Sequence, residues 1–268
     1  MSSDKDLHKL VQSQFGPAAS AYSTSASHSN QSSLNNLVKL VQPKPADVML
    51  DVATGAGHTA LAFAPYLSRV VAYDLTPEML EETARSATAR GISNLETQQG
   101  LAEALPYPDN SFDLVTCRIA PHHFSDIKKA LAEMARVTRP GGQVVVVDTT
   151  VPEDSGLDQE INYIEKQRDP SHVRNYRPSE WRKMFEEAHL EVTFCEVDLP
   201  GNQQGRINFA EWTARLRTPA ETVLELSHRL RKASPELQQA LALEIRGDQD
   251  KDIEFSLQKV TIIGSKSS

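Results

Sequence analysis

The chain has 268 residues with 39% hydrophobic content, enough for one α/β domain carrying an inserted or appended helical piece. Its formal charge is −8 and its Lys and Arg are scattered, which speaks against a nucleic-acid partner, because neutralising phosphates needs clustered basic residues. Cys117 and Cys195, about eighty residues apart, make neither a metal motif nor a disulfide scaffold.

The first residues, MSSDKDLHKL, lack the apolar stretch of a signal peptide, and no run reaches the length of a transmembrane helix. A cytoplasmic protein without membrane insertion is expected. Residues 17–33 are rich in Ser and Ala and read as a loosely ordered arm. Leu34, Leu37, Val38, Leu40 and Val41 then recur at helical spacing until Pro43 and Pro45. Residues 1–45 are expected to act together as a lid.

Residues 46–150 alternate short apolar strands with amphipathic helices, as a cofactor-binding α/β core would. Strands are predicted at Val48–Val52, Arg69–Tyr73, Leu95–Gln99, Phe112–Cys117 and Gln143–Asp148. Helices are predicted over Thr59–Leu67, from Thr76 to Arg90, and around Ile127, Ala130, Leu131, Met134 and Val137. Thr76-Pro77-Glu78 is a helix start, with Thr as cap and Pro at the first helical position. Pro140-Gly141-Gly142 is expected to close the last helix before the fifth strand.

The remainder, 151–268, is read as the C-terminal part of the same domain. Residues 151–178 look polar and irregular, and Trp181, Met184, Phe185 and Ala188 mark a helix. Glu191–Asp198 and Glu254–Gly264 supply two more strands. Between them, over about 200–250, lies a helical insertion with Phe209, Trp212 and Leu216 on one face, placed to cover a substrate. The fold class is therefore α/β: a doubly wound, mostly parallel seven-stranded sheet with a helical insertion before the last strand.

Chemistry concentrates at the turns after the strands. Asp51, Ala53, Gly55 and Gly57 lie where the first strand meets the first helix, and glycines there let a ligand approach the backbone. A dinucleotide site has a similar turn, but Asp51 would repel a pyrophosphate. It suits the ammonium of an amino acid, which S-adenosylmethionine carries; the alternative is a βα turn with a capping Asp. Asp74, nineteen residues after Gly55 and followed by Leu75, can accept two ribose hydroxyls or simply start the turn before Thr76.

Residues 100–113 (GLAEALPYPDNSFD) and 137–142 (VTRPGG) make the chain recognisable. It resembles class I S-adenosylmethionine-dependent methyltransferases, in particular the ubiquinone/menaquinone-biosynthesis group, over roughly residues 46–150. The arm Phe15-Gly16-Pro17-Ala18-Ala19-Ser20-Ala21-Tyr22 is similar to one bacterial branch. The resemblance implies a Rossmann-like sheet and a bound S-adenosylmethionine. Leu101, Ala102 and Glu103 would hold its adenosine end, with Leu101 packing on adenine where the family has an acceptor Asp. Arg118 would pair with its methionine carboxylate.

After Arg118 come His122 and His123, candidate general bases because imidazole titrates near neutrality, or else ordinary loop histidines. Two adjacent His without a carboxylate partner are a poor ligand set, so no metal is expected. Tyr22 and His28 in the arm, Arg174 and Tyr176 in residues 172–181, and Trp212 in residues 206–217 are the substrate candidates; Trp212 reads equally as a packing anchor. The expected activity is methyl transfer to a small organic acceptor through an O, N or C atom, by a monomer or homodimer. The rivals are a cofactor-binding regulatory protein and, against Asp51 and the absence of Gly at position 60, an NAD-dependent oxidoreductase.

Overall fold

Runs such as Val48-Met49-Leu50 and Val144-Val145-Val146-Val147 carry no alternation and fit strands covered on both faces. A computed structural model of the protein describes residues 4–20, 31–198 and 205–267. Its main sheet contains β1 (Val48–Val52), β2 (Arg69–Asp74), β3 (Leu95–Gln99), β4 (Phe112–Arg118), β5 (Thr138–Thr149), β6 (Leu190–Val197) and a strand near the C-terminus, Lys259–Lys266. Three short strands precede the last one: β7 (Ile207–Asn208), β8 (Glu244–Ile245) and β9 (Ile253–Phe255), which makes Lys259–Lys266 β10. The seven strands run in the order β3-β2-β1-β4-β5-β10-β6, and β10 is antiparallel to both neighbours.

Helices cover both faces. On one, α2 (Gln31–Val41) and α3 (His58–Phe63) bring Leu37, Val38, Ala60 and Phe63 against Met49, Val70 and Val145. On the other, α5 (Ile127–Val137) and α7 (Pro178–Glu187) bury Leu131, Met134, Trp181 and Phe185 against Leu50, Val115 and Val146. Between them in the chain, α4 (Pro77–Ala89) packs against β2 and β3, and α1 (Asp4–Phe15) precedes them all.

The C-terminal part has a core of its own. Helix α6 (Ser155–Arg168) joins α8 (Phe209–Arg215), α9 (Ala220–Arg231), α10 (Pro235–Ala240) and the antiparallel sheet β7-β9-β8. Ile161, Ile164, Phe209, Trp212, Leu226, Leu230 and Phe255 form its buried cluster.

Several sequence expectations are corrected. Residues 151–178 are not irregular: Asp154 accepts from the N–H groups of Gly156 and Leu157, both at 2.9 Å, and starts α6. The insertion is not purely helical, because β7, β8 and β9 pair within it. Glu254–Gly264 is two strands in two sheets, broken at Ser256, whose N–H turns to Leu241 O at 2.7 Å. Residues 59–67 split at Pro65 into α3 and a 3₁₀ turn, Ala64–Tyr66. Pro140, Gly141 and Gly142 lie inside β5, which pairs with β4 across an irregularity there. Thr76 precedes α4 without a side-chain cap. No helix among the described residues is long and apolar enough to cross a membrane.

Candidate active site

β1, β2 and β5 each carry an aspartate near the carboxyl end: Asp51, Asp74 and Asp148, with 1%, 8% and 0% of their surfaces exposed. The carboxyl ends of parallel strands are where open α/β sheets bind ligands. A cavity of about 850 Å³ opens there.

Asp51 builds the glycine turn from behind. Sheet register sets Thr116 of β4 beside it, and Thr116 Oγ1 donates to Asp51 Oδ1 at 2.5 Å. Thr54 Oγ1 at 2.6 Å and the Ala60 N–H at 3.2 Å donate to Oδ2. Burial lifts the Asp51 carboxyl to about 6, although all three donors oppose it. Ala53, Thr54 and Gly55 line the cavity, and Asp51 stands behind them, held by these three donors. Gly57, at φ +81, also stays off the wall. A Cβ there would meet the Thr83 side chain at 2.6 Å, so its role is to let α3 start. Gly55, at φ +55, is different: a Cβ would meet nothing within 4 Å. The turn therefore leaves an open cradle beside Gly55.

Asp74 faces that cradle. Its Oδ2 accepts from the Gly55 N–H and its Oδ1 from the Thr76 N–H, both at 2.8 Å. Burial raises the Asp74 carboxyl against these bonds and further ones from the Thr76 side chain and the Leu75 backbone. Leu75, Leu101, Ala102 and Glu103 continue the same wall. Tyr73 Oη donates to Leu101 O at 3.2 Å, which fixes the backbone at this point. The Glu103 carboxylate turns away and accepts from Ser125 N at 3.1 Å and Ser125 Oγ at 2.9 Å. Arg118, at the end of β4, lines the cavity, and burial lowers it to about 10 while Asp51 pulls the other way.

Beyond Arg118 the backbone is strained. Ile119 has φ +55, a conformation β-branched residues avoid, and its N–H is held by Val147 O at 2.7 Å. The turn delivers His122 to Asp148: Nδ1 is 2.6 Å from Oδ1, and the His122 N–H donates to Oδ2 at 2.9 Å. Burial pushes His122 down, but the charge and hydrogen bond of Asp148 outweigh it and the net shift is upward. His123 stacks near it, with ring centroids 4.2 Å apart. Burial and His122 drive His123 down to about 3, and burial with both of them drives His172 down to about 2. His122 and His123 both line the cavity, with Glu165 and Arg168 of α6.

The substrate candidates divide. Trp212 lines the cavity and is 3% exposed, packed against Phe255 at 5.1 Å and under the Arg168 guanidinium at 4.6 Å. It is a wall and a packing anchor at once. Arg174 and Tyr176 are not among the residues that line the cavity. Arg174 Nη2 donates to Asp158 Oδ2 at 2.9 Å and pairs with Glu180, and Tyr176 packs on Trp181 at 5.6 Å. Tyr22 and His28 lie outside the described residues. Sequence reasoning missed Asp148, whose signal is a charged residue ending an all-Val strand, and Glu165, which looked like one more acid in a polar stretch.

Residues 50–146 match the family model described as "Methyltransferase domain". The uncharacterized methyltransferase YcgJ of Bacillus subtilis (strain 168) is 38% identical over 87% of this chain and 90% of its own length. The crystal structure of YcgJ superposes with a TM-score of 0.80 at 37% identity, covering 88% of this chain and 98% of that one. The ubiquinone/menaquinone biosynthesis C-methyltransferase UbiE of Zymomonas mobilis is 38% identical over 46% of this chain and 51% of its own length. The protein therefore belongs to the class I methyltransferases. It is an enzyme of the S-adenosylmethionine-dependent kind, and the dinucleotide oxidoreductase alternative is set aside.

Proposed function

We propose that this chain methylates a small organic acceptor at an atom that gives up a proton, with His122 as the base. The observation that carries this reading is the buried His122–Asp148 pair on the cavity wall. Asp148 as a carboxylate can only accept, so Nδ1 carries the proton and Nε2 is the basic nitrogen. A cavity of about 850 Å³ that must also take a cofactor leaves room for a small acceptor only.

The residues on the other wall fit S-adenosylmethionine. The cradle at Gly55 would accept the amino-acid end, and Arg118 would match its carboxylate. Asp74 would accept the ribose hydroxyls, Leu101 would pack on adenine and the Ala102 backbone would meet its edge. When bound, the cofactor supplies a methyl group already activated on a sulfonium. The protein's part is then alignment, which dominates such reactions, plus removal of one proton by His122 Nε2. Helix α1 borders the cavity through His8, Val11 and Phe15: Gln12 Nε2 donates to Leu75 O at 2.9 Å, Gln14 Nε2 donates to Asp169 Oδ1 at 3.1 Å, and Phe15 packs edge-on to His123.

The test is incubation with methyl-labelled S-adenosylmethionine and a metabolite extract, with products read by mass. Wild type should label one small molecule and His122→Asn should not. Label confined to macromolecules, or an equal yield from His122→Asn, would overturn the reading.

A further inference from the structure

Glu165 stands in the last turn of α6, with 6% of its surface exposed. It lines the cavity on the His122 side, and among the described residues its Oε1 has no hydrogen-bond partner. Two physical effects oppose a carboxylate in that position. Burial disfavours its charge and lifts it to about 6, even though the attraction of Arg168 and His122 exceeds the repulsion of Asp169 and Asp148. The carbonyl end of α6 adds partial negative charge. A buried acid retained under those conditions, with an oxygen unsatisfied, is matched to something that enters the cavity.

The surroundings restrict what enters. Phe15, Phe124, Trp212 and Leu257 give the cavity apolar and aromatic surface, and Arg168 and Asp169 stand beside Glu165 in the same lining. Resting on the methyl-transfer reading above, we propose that Glu165 selects the acceptor by taking a hydrogen bond from a second donor group on it. The substrate class is a small, largely apolar molecule with two proton-bearing groups, one presented to His122 and one, a hydroxyl or an ammonium, to Glu165. A carboxylate at the second position is rejected by charge repulsion.

The experiment uses the full chain saturated with S-adenosylhomocysteine and three matched probes: benzyl alcohol, benzylamine and benzoate. Calorimetry on wild type should show one of the two donor probes binding at least tenfold more tightly than benzoate. Glu165→Met should remove that preference. Glu165→Gln should keep benzyl alcohol if the donor is a hydroxyl and lose benzylamine if it is an ammonium; in both variants benzoate should gain. Both variants should melt no lower than wild type, because burial of the acid with its Oε1 unsatisfied costs more than its attraction to Arg168 and His122 returns. Equal binding of benzoate, no binding of either donor probe, or a lowered melting temperature in both variants would overturn the proposal. Failure of wild type to bind S-adenosylhomocysteine would instead overturn the methyl-transfer reading beneath it.

Discussion

One carboxylate grips His122 at two points: Asp148 Oδ1 lies 2.6 Å from the ring Nδ1, and Asp148 Oδ2 accepts the backbone N–H of the same residue at 2.9 Å. The ring cannot turn about its side-chain bonds without losing the first bond, and the loop cannot drift without losing the second. Val173 N–H adds a third restraint, donating to His122 O at 2.7 Å. The imidazole is thus oriented before any ligand arrives.

That orientation sets a pH profile. His122 is raised above its usual 6.5, and only its neutral form accepts a proton. The acid limb of kcat/KM should therefore fall above pH 6.5 and activity should rise through it. Asp148→Asn removes the charge that opposes burial, so the limb should move down. Turnover should also drop by about 10²–10⁴-fold in His122→Asn, the usual contribution of a positioned base. S-adenosylhomocysteine affinity should stay constant in both variants. A limb that does not move in Asp148→Asn would separate the aspartate from the base.

Asp74→Ala should weaken S-adenosylhomocysteine binding by about 1.5–3 kcal/mol, the range for hydrogen bonds to a charged group. Asp74→Asn should do less harm, since one acceptor oxygen remains. Stability should fall in the alanine variant too, because the N–H groups of Gly55 and Thr76 lose their acceptor. Calorimetry and thermal melts on the three proteins give both orderings; equal affinities would remove Asp74 from the cofactor wall.

Asp51 is testable through stability. Its folded value of about 6 exceeds the 3.8 of an exposed carboxyl. Below pH 3.8 both states are protonated; as pH rises through 6 the folded state must give up a proton it holds more tightly than the unfolded chain does. Wild type should therefore lose about 3 kcal/mol relative to Asp51→Asn between pH 4 and pH 7. Denaturant midpoints across that range read the difference. A pH-independent gap between the two proteins would show that Asp51 is not held in a desolvated state.

Deleting residues 1–30 should leave a folded protein, because the two sheet-face cores draw on nothing before Leu37. Cofactor affinity should fall several-fold and turnover further, through loss of the bonds from Gln12 and Gln14. Gln14→Ala should reproduce part of the loss. Full affinity and turnover in the truncated protein would show that α1 is not a lid.

The parallel strands were legible because burial on both faces leaves them as unbroken apolar runs, and the turns after β1 and β2 because glycine and a terminal acid stand out there. Helix α1 was not, although Leu7, Leu10, Val11 and Phe15 make a short stripe: it is set among polar residues next to the Ser- and Ala-rich arm, and Gln14 is its only buried residue. Helix α6 did carry a stripe, Leu157, Ile161 and Ile164, hidden among Asp158, Glu160, Glu165 and Lys166. Strands of two or three residues such as β7 and β8 have no period to detect. Glu165 and Arg174 show the deeper limit. One charged residue is buried against a cavity and the other is spent on Asp158, and only their tertiary neighbours distinguish them.

The separate core of the C-terminal lobe has a consequence for how such chains diversify. Phe209, Trp212, Leu226 and Phe255 pack with one another and with α6, not with the sheet faces. Substitutions there can reshape the cavity around Trp212 while the strands that carry Asp51 and Asp74 stay undisturbed. Similarity to UbiE stops at 46% of this chain, whereas similarity to YcgJ runs over 87% of it. Exchanging residues 151–258 between this protein and a relative should carry acceptor preference with the exchanged piece, as a cassette moves between housings.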